Sequence, residues 1–279
     1  MKVAILNDTH CGCRNSSDIF IRYQERFYEE SFFPYMEEHG IKQILHLGDY
    51  YDHRKYVNFK ALNSNRKVFL DRIRELGIHM DIIPGNHDVF YKNTNDLCSL
   101  KELLGHYTSN VNIIMKPKVL NYDGCDIAVL PWINNENYGE YTDFLKNCKA
   151  SILGAHLELV GFDMMKGMPN THGMTTELFD RFELVMSGHF HTKSNQGNIH
   201  YLGSQMEFTW SDAHDNKYFH IFDTDTRELT FIENPYKLFK KVFYNDSEMT
   251  VADVVAQDVE QYRDCFVKVI INNKTQPYW

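Results

Sequence analysis

The chain has 279 residues, 43% hydrophobic and 24% charged, enough for one large α/β domain with a small appendage and a substantial core. Its 29 basic residues against 38 acidic ones give a formal charge of -9, which disfavours a polyanion partner unless bound cations or local basic loops offset it. No apolar run is long enough to cross a bilayer and residues 3–6 are too short for a signal peptide, so a cytoplasmic location with free thiols is expected.

Short apolar runs alternate with longer helical patterns. Residues 3–6 form the first run, followed by a helix-like stretch over 18–39, with Ser16 or Ser17 as cap and Gly40 as stop. Residues 44–47 form the second, followed by a helical pattern over 58–76 that Gly77 closes; residues 81–83 form the third. This β-α-β-α order predicts parallel strands covered by helices. Further on, residues 118–121 and 125–132 flank an Asp123-Gly124 turn, and residues 218–223 and 228–233 flank a TDTR turn, so both pairs read as hairpins in a mixed, two-sheet core. The fourth and fifth apolar runs, 151–155 and 184–186, lie between the hairpins. Pro235 marks a break, after which residues 236–279 read as the start of a small second domain: a polar segment from 243, a short helix over 251–257 and a strand over 265–271.

Each apolar run ends in residues that can bind metal. The first ends in Asp8 and His10, the second in Asp49 and Asp52, and the third in Asn86, His87 and Asp88. The fourth ends in His156 and the fifth in SGHFHT, with His189 and His191. Residues two apart in an extended chain point the same way, so these last two histidines can address one neighbourhood while Phe190 faces elsewhere. Loops at the carboxyl ends of parallel strands share an edge, so the five groups can converge. Singly, each motif is ordinary turn or cap chemistry; their recurrence at successive strand ends is what points to metal. Mixed carboxylate, imidazole and amide donors suit manganese, iron or zinc better than calcium or magnesium alone. There are too many donors for one ion, and two divalent ions about 3.5–4 Å apart are suited to in-line attack on a phosphate ester. Cys11 and Cys13 flank Gly12 beside His10, but no second cysteine pair completes a thiolate site.

In order, DxH, GDxxD, GNHD, a lone His and GHxH resemble the calcineurin-like metallophosphoesterase superfamily over residues 1 to about 235. The resemblance implies a four-layer α-β-β-α sandwich. It also implies that Asp8, His10, Asp49 and His191 hold one ion, with Asp49 bridging, and that Asn86, His156 and His189 complete the other. His87 would be the acid beside the leaving group and Asp88 its orienting partner.

The stretches GDYYDHRK, PGNHDVFYKN, LPWINNEN, GAHLELVGF with MMKGM, and SGHFHT with IHYLGSQ are similar to the SbcD-type nuclease subunits of double-strand-break repair, and more narrowly to the recombination endonuclease subunits of T-even phages. That similarity implies a manganese-dependent 3′ to 5′ exonuclease on duplex DNA with single-strand endonuclease activity (magnesium is the alternative ion). It also implies a homodimer and an SbcC-type coiled-coil ATPase partner. Residues 236–279 would begin a DNA-capping domain. Members of that group carry more chain after the cap, including the part that engages the ATPase, whereas this sequence ends at Trp279. Asp52 is expected to support the site rather than ligate. His53, Arg54 and Lys55 are candidate phosphate contacts, the other basic residues of 60–74 a solvated helix face. The alternatives are a phosphatase or cyclic-nucleotide phosphodiesterase of the same fold, and a non-catalytic scaffold. A purple-acid-phosphatase reading would need a tyrosine ligand such as Tyr51. The methionine-rich loop 163–174 reads equally as a mobile DNA-contact or gating loop or as ordinary packing, whereas Trp132, Tyr138 and Tyr141 read as interior residues before nucleic-acid contacts.

Overall fold

The structure is a computed structural model that describes residues 1–273 except Lys166 and Asp246, so the QPYW terminus and the lysine of MMKGM lie outside the described residues. In chain order its strands are β1 (Lys2–Leu6), β2 (Gln43–His46), β3 (His79–Ile82), β4 (Val111–Ile113), β5 (Lys118–Tyr122), β6 (Cys125–Leu130), β7 (Ile152–His156), β8 (Asp163–Met165), β9 (Met168–Pro169), β10 (Leu184–Gly188), β11 (Ser194–Gln196), β12 (Ile199–Tyr201), β13 (Tyr218–Asp223), β14 (Leu229–Glu233), β15 (Phe239–Asn245) and β16 (Phe266–Asn273). One sheet runs β14-β13-β1-β2-β3-β4 and the second β11-β12-β10-β7-β6-β5. The strands β1 to β4 pair in parallel, as do β6, β7, β10 and β12. Antiparallel partners lie at the sheet margins, including both hairpins read from the sequence. Asp123 and Gly124 both have positive φ (52° and 84°), as a two-residue hairpin turn requires.

Central parallel strands are buried on both faces, which is why they read as continuous apolar runs. The pleat sorts them into layers. Val3, Ile5, Leu45 and Leu47 meet Ile127, Val129, Ile152 and Met186 between the sheets. Ala4, Leu6, Ile44 and Met80 face an aromatic layer of Phe27, Tyr28, Phe32 and Phe69 from the first helices. Ala128, Leu153, Ala155 and Val185 face Tyr141, Leu145 and Phe179 on the far side. Three apolar interfaces therefore separate four layers, the expected sandwich. Each fully buried aromatic or aliphatic side chain contributes about 1.5–3 kcal/mol.

The helix expected over 18–39 is α-helical over Asp18–Phe27 and Phe33–Glu38, with a π-helical turn at Tyr28–Phe32 between them. Pro34 cannot donate to the carbonyl four residues back, and the wider turn lies where that bond is missing. Ser17 stands at the N-cap, but its side chain makes no cap bond. The next helical stretch begins at Phe59, where Asn58 accepts from the Lys60 amide at 2.8 Å. Its basic residues pair with acids, Arg72 with Glu37 and Arg74 with Asp71, as a solvated face does.

After Pro235 the chain enters β15, a strand beginning at Phe239 that the sequence reading did not foresee; it pairs in parallel with β16. Its first residues are tied to the body: buried Glu207 accepts from the Leu238 and Phe239 amides at 2.6 and 2.8 Å, and Phe239 and Phe266 pack on Phe20. Among the described residues no helix is long and apolar enough to cross a membrane, and all six cysteines are free.

Candidate metal centre

The carboxyl ends of β1, β2, β3, β7 and β10 meet at one edge, and the five groups of candidate ligands converge there. His10 Nε2 lies 3.8 Å from Asp8 Oδ1, 3.8 Å from Asp49 Oδ2 and 3.0 Å from His191 Nε2. Beside them, Asn86 Oδ1 sits 3.1 Å from His156 Nε2 and 2.9 Å from His189 Nδ1. Asp49 Oδ2 is also 3.4 Å from His156 Nε2, so one carboxylate oxygen faces both groups. Ligand atoms within 4.8 Å of one another form the sets Asp8, His10, His191 and Asp49, His156, His189. A third set, His10, Asp49 and His87, overlaps them.

The backbone is bent to achieve this. Asp8, His10, Asp49 and His189 have positive φ (48°, 43°, 56° and 89°), a region that side-chain-bearing residues rarely occupy and that costs about 1–3 kcal/mol each. The strand-end loops also touch. A Cβ on Gly85 would fall on the Asp49 carboxylate and 2.7 Å from the His156 ring, and one on Gly48 would lie 2.6 Å from the Gly85 amide. Gly85→Ala is therefore expected to lower stability by about 1–3 kcal/mol through overpacking. It should also weaken divalent-ion binding by tenfold or more, checked by thermal unfolding and calorimetry.

The outer contacts orient the ligands. His156 Nδ1 donates to the Leu47 carbonyl at 2.7 Å, which leaves Nε2 facing the site. Asp52 Oδ1 holds His10 Nδ1 at 3.2 Å, supporting the ring rather than joining the ligand atoms. Asn7 Nδ2 donates to Asp8 Oδ2 at 2.7 Å, and the His189 amide to the same oxygen at 3.0 Å. His87 is fixed by its amide to Asp49 Oδ1 at 2.7 Å and by Nδ1 to the Asp52 carbonyl at 2.5 Å, its ring edge-on to His10 at 4.8 Å.

Asp88 requires a correction. Its carboxylate does not orient His87; it accepts the amides of Tyr50, Tyr51 and Gly85 at 3.0, 3.1 and 2.9 Å, tying the second strand-end loop to the third. The orienting partner of His87 is the Asp52 carbonyl. Arg54 and Lys55 line an apolar groove with Tyr56, Phe59 and Leu97. His53 borders both that groove and the site. Phe190 is buried on Tyr201, and Tyr51 is buried with its ring edge-on to Tyr50. Tyr141 is buried and Tyr138 half exposed. Trp132 is part-exposed, 5.3 Å from the His189 ring and 5.9 Å from that of His156. Met164, Met165 and Met168 are exposed on the β8–β9 hairpin.

The electrostatics fit cations. Asp8, Asp49 and Asp88 are fully buried together, and burial pushes Asp8 up and Asp88 to about 6. Burial also acts to raise Asp49, but the imidazoles of His156, His87 and His10 together outweigh it and hold the carboxylate well below its usual range. Desolvation keeps His189 neutral, at about 3, and His191 well below the usual value. Burial acts to lower His10 as well, but Asp52, Asp49 and Asp8 raise it, so the cluster offers two neutral imidazoles, two drawn toward the charged form, and buried carboxylates whose charge divalent ions would balance. A cleft of about 370 Å³, lined by His10, Arg14, Asp52, His53, His87 and His191, opens onto it.

Burial acts to discharge His156, but Asp49 prevails and raises it to about 9, so below that pH its Nε2 carries a proton that a metal must displace. Ion loading at pH 7.5 should therefore release about one proton from this residue. Affinity should then rise with pH until about pH 9 and flatten above it. Calorimetry in buffers of differing ionisation enthalpy measures the release, and His156→Ala should lower it by this residue's share.

A sequence profile of calcineurin-like phosphoesterases matches residues 1–193. Exonuclease subunit 1 of Enterobacteria phage T4 is 34% identical over 244 residues, covering 88% of this chain and 71% of the phage protein. An archaeal phosphodiesterase of known structure aligns over 84% of this chain and 100% of its own, with a TM-score of 0.42 and 15% identity. On the profile match and the phage relative, this chain belongs to the calcineurin-like phosphoesterase family.

Proposed function

We propose that this phosphodiesterase acts on DNA, as a 3′ to 5′ exonuclease on duplex ends and an endonuclease on single strands. The observation that carries the reading is the single Asp49 oxygen that faces two donor groups, beside a cleft lined by His10, His87 and His191. The 34% identity to a phage exonuclease subunit supports DNA as the ester. Asp8, His10, Asp49 and His191 would hold one ion and Asp49, Asn86, His156 and His189 the other, manganese suiting the mixed donors and magnesium being the alternative. When bound, the ions neutralise the phosphoryl oxygens and make a water acidic enough to attack in line.

The protein's own residues do the rest. Asp52 and Leu47 fix the imidazoles so that their lone pairs face inward. His87, with Nδ1 held by the Asp52 carbonyl, gives a proton from Nε2 to the departing 3′-oxygen. His53 at the cleft rim meets a backbone phosphate. Residues 1–235 form the nuclease domain in this reading, and 236–279 begin a DNA-capping domain. The protein works as a homodimer with an SbcC-type coiled-coil ATPase, in the host cytoplasm if phage-encoded.

Digestion of a 3′-labelled linear duplex with added manganese tests this. Wild type should release labelled mononucleotide and His189→Ala should not. If the wild type, with two ions bound, hydrolyses a small phosphodiester and leaves DNA intact, the DNA assignment fails.

A further inference from the structure

The clearest feature outside the ligand set is a buried ammonium. Lys217 is 1% exposed, at the start of β13, where its Nζ donates to Asp212 Oδ1 at 2.8 Å, Asp215 Oδ2 at 3.0 Å and the His191 carbonyl at 2.9 Å. Two carboxylates suffice for the charge. The third bond reaches across 26 residues to the backbone of one candidate ligand.

Asp212 extends the connection. Its second oxygen accepts the Phe208 and Thr209 amides at 2.9 and 2.8 Å and the Thr209 hydroxyl at 3.1 Å. The Phe208 ring lies 5.3 Å from that of His10 and 5.1 Å from that of His191. Arg14 Nε donates to the Phe208 carbonyl at 2.9 Å, closing the cleft wall. β10 ends at Gly188, and beyond it the His191 carbonyl is held from two sides, by the Ser204 amide at 3.1 Å and by the Lys217 ammonium. Stability alone does not call for a buried ion pair, since well-packed apolar residues often serve as well.

We propose that Lys217 and Asp212 are positioning residues for the ion site of Asp8, His10, Asp49 and His191. They hold His191 Nε2 opposite His10 Nε2 and press Phe208 against both rings, touching neither ion nor substrate. The proposal rests on the metal-site reading given above, and the experiment separates the two.

Manganese is titrated into the full chain by calorimetry, comparing wild type, His191→Ala, the double variant Lys217→Met/Asp212→Asn, and Asp212→Asn alone. The double variant removes the two fully buried charges together and leaves unpaired only Asp215, whose side chain is a quarter exposed to water. Asp212→Asn keeps the shape of the loop should the double variant fail to fold. The expected result is that one of two ions binds about 10–100-fold more weakly in the double variant, the usual effect of losing a ligand's outer support, while the other keeps its affinity. Asp212→Asn should weaken the same ion to a smaller degree. In a His189→Ala background, which isolates the first site, the double variant should lower the affinity of the remaining ion. Wild-type affinities for both ions in whichever of these variants folds, with only a lower melting temperature, would overturn the proposal while leaving the metal reading intact. Two ions bound normally by His191→Ala would overturn the metal reading and the proposal with it.

Discussion

Replacing Asp49 by asparagine abolishes binding of both divalent ions and reduces phosphodiester cleavage to background, a loss of more than about 10³-fold. The expectation follows from the position of one atom. Asp49 Oδ2 lies 3.8 Å from His10 Nε2 and 3.4 Å from His156 Nε2, so one oxygen faces both groups. Removing one fixed electrostatic contact from a transition state costs about 10²–10³; removing the anion common to two cations should cost more. Asparagine keeps the shape and lets the Asp49 Oδ1 position still receive the His87 amide, so the fold should persist. The variant also removes the carboxylate that holds His156 up at about 9, leaving a buried imidazole that burial then discharges. By contrast, His10→Ala and His189→Ala should each lose one ion and keep the other. Manganese stoichiometry by calorimetry separates these patterns, and an Asp49→Asn protein that still binds two ions would remove the bridge from the scheme.

The candidate ligands at the strand ends were legible because two strong rules coincide in them. Strands buried on both faces are continuous apolar runs, and residues directly after such strands share an edge, so Asp8, Asp49, Asn86, His156 and His189 could be placed together before any coordinates. What was hidden depends on contacts remote in sequence. Lys217 sits in DAHDNK, which has the composition of an exposed turn, and nothing local reveals that its ammonium is buried against the His191 carbonyl. β16 matches the strand expected over 265–271, but its partner β15 was hidden, because their pairing is parallel and long-range and no turn announces it. Asp88 follows His87 directly, yet consecutive side chains diverge. One points to the amides of the neighbouring loop and the other into the cleft. Arg54 and Lys55 are likewise adjacent to site residues in sequence and line a different surface.

His87→Ala should lower DNA cleavage by about 10²–10⁴-fold, the usual contribution of a positioned acid, while two ions still bind. A carbonyl oxygen can only accept, so the 2.5 Å contact with the Asp52 carbonyl requires the hydrogen on Nδ1 and leaves Nε2 as the nitrogen that exchanges protons. The ring is half-buried, lines the cleft and is braced edge-on by His10, the setting of a group that meets substrate. A rival role is equally concrete. A ring nitrogen of His87 lies within 4.8 Å of ligand atoms of His10 and Asp49, so the residue could itself bind an ion. The two roles separate on a diester whose leaving group needs no proton. An acid is dispensable for expelling a nitrophenolate but not a deoxyribose alkoxide, so His87→Ala should cut the activated ester at close to the wild-type rate and DNA slowly. A ligand is needed for both. Equal losses on the two substrates, together with one missing ion, would move His87 from proton donor to metal ligand and leave the departing oxygen to be protonated from the cleft by water.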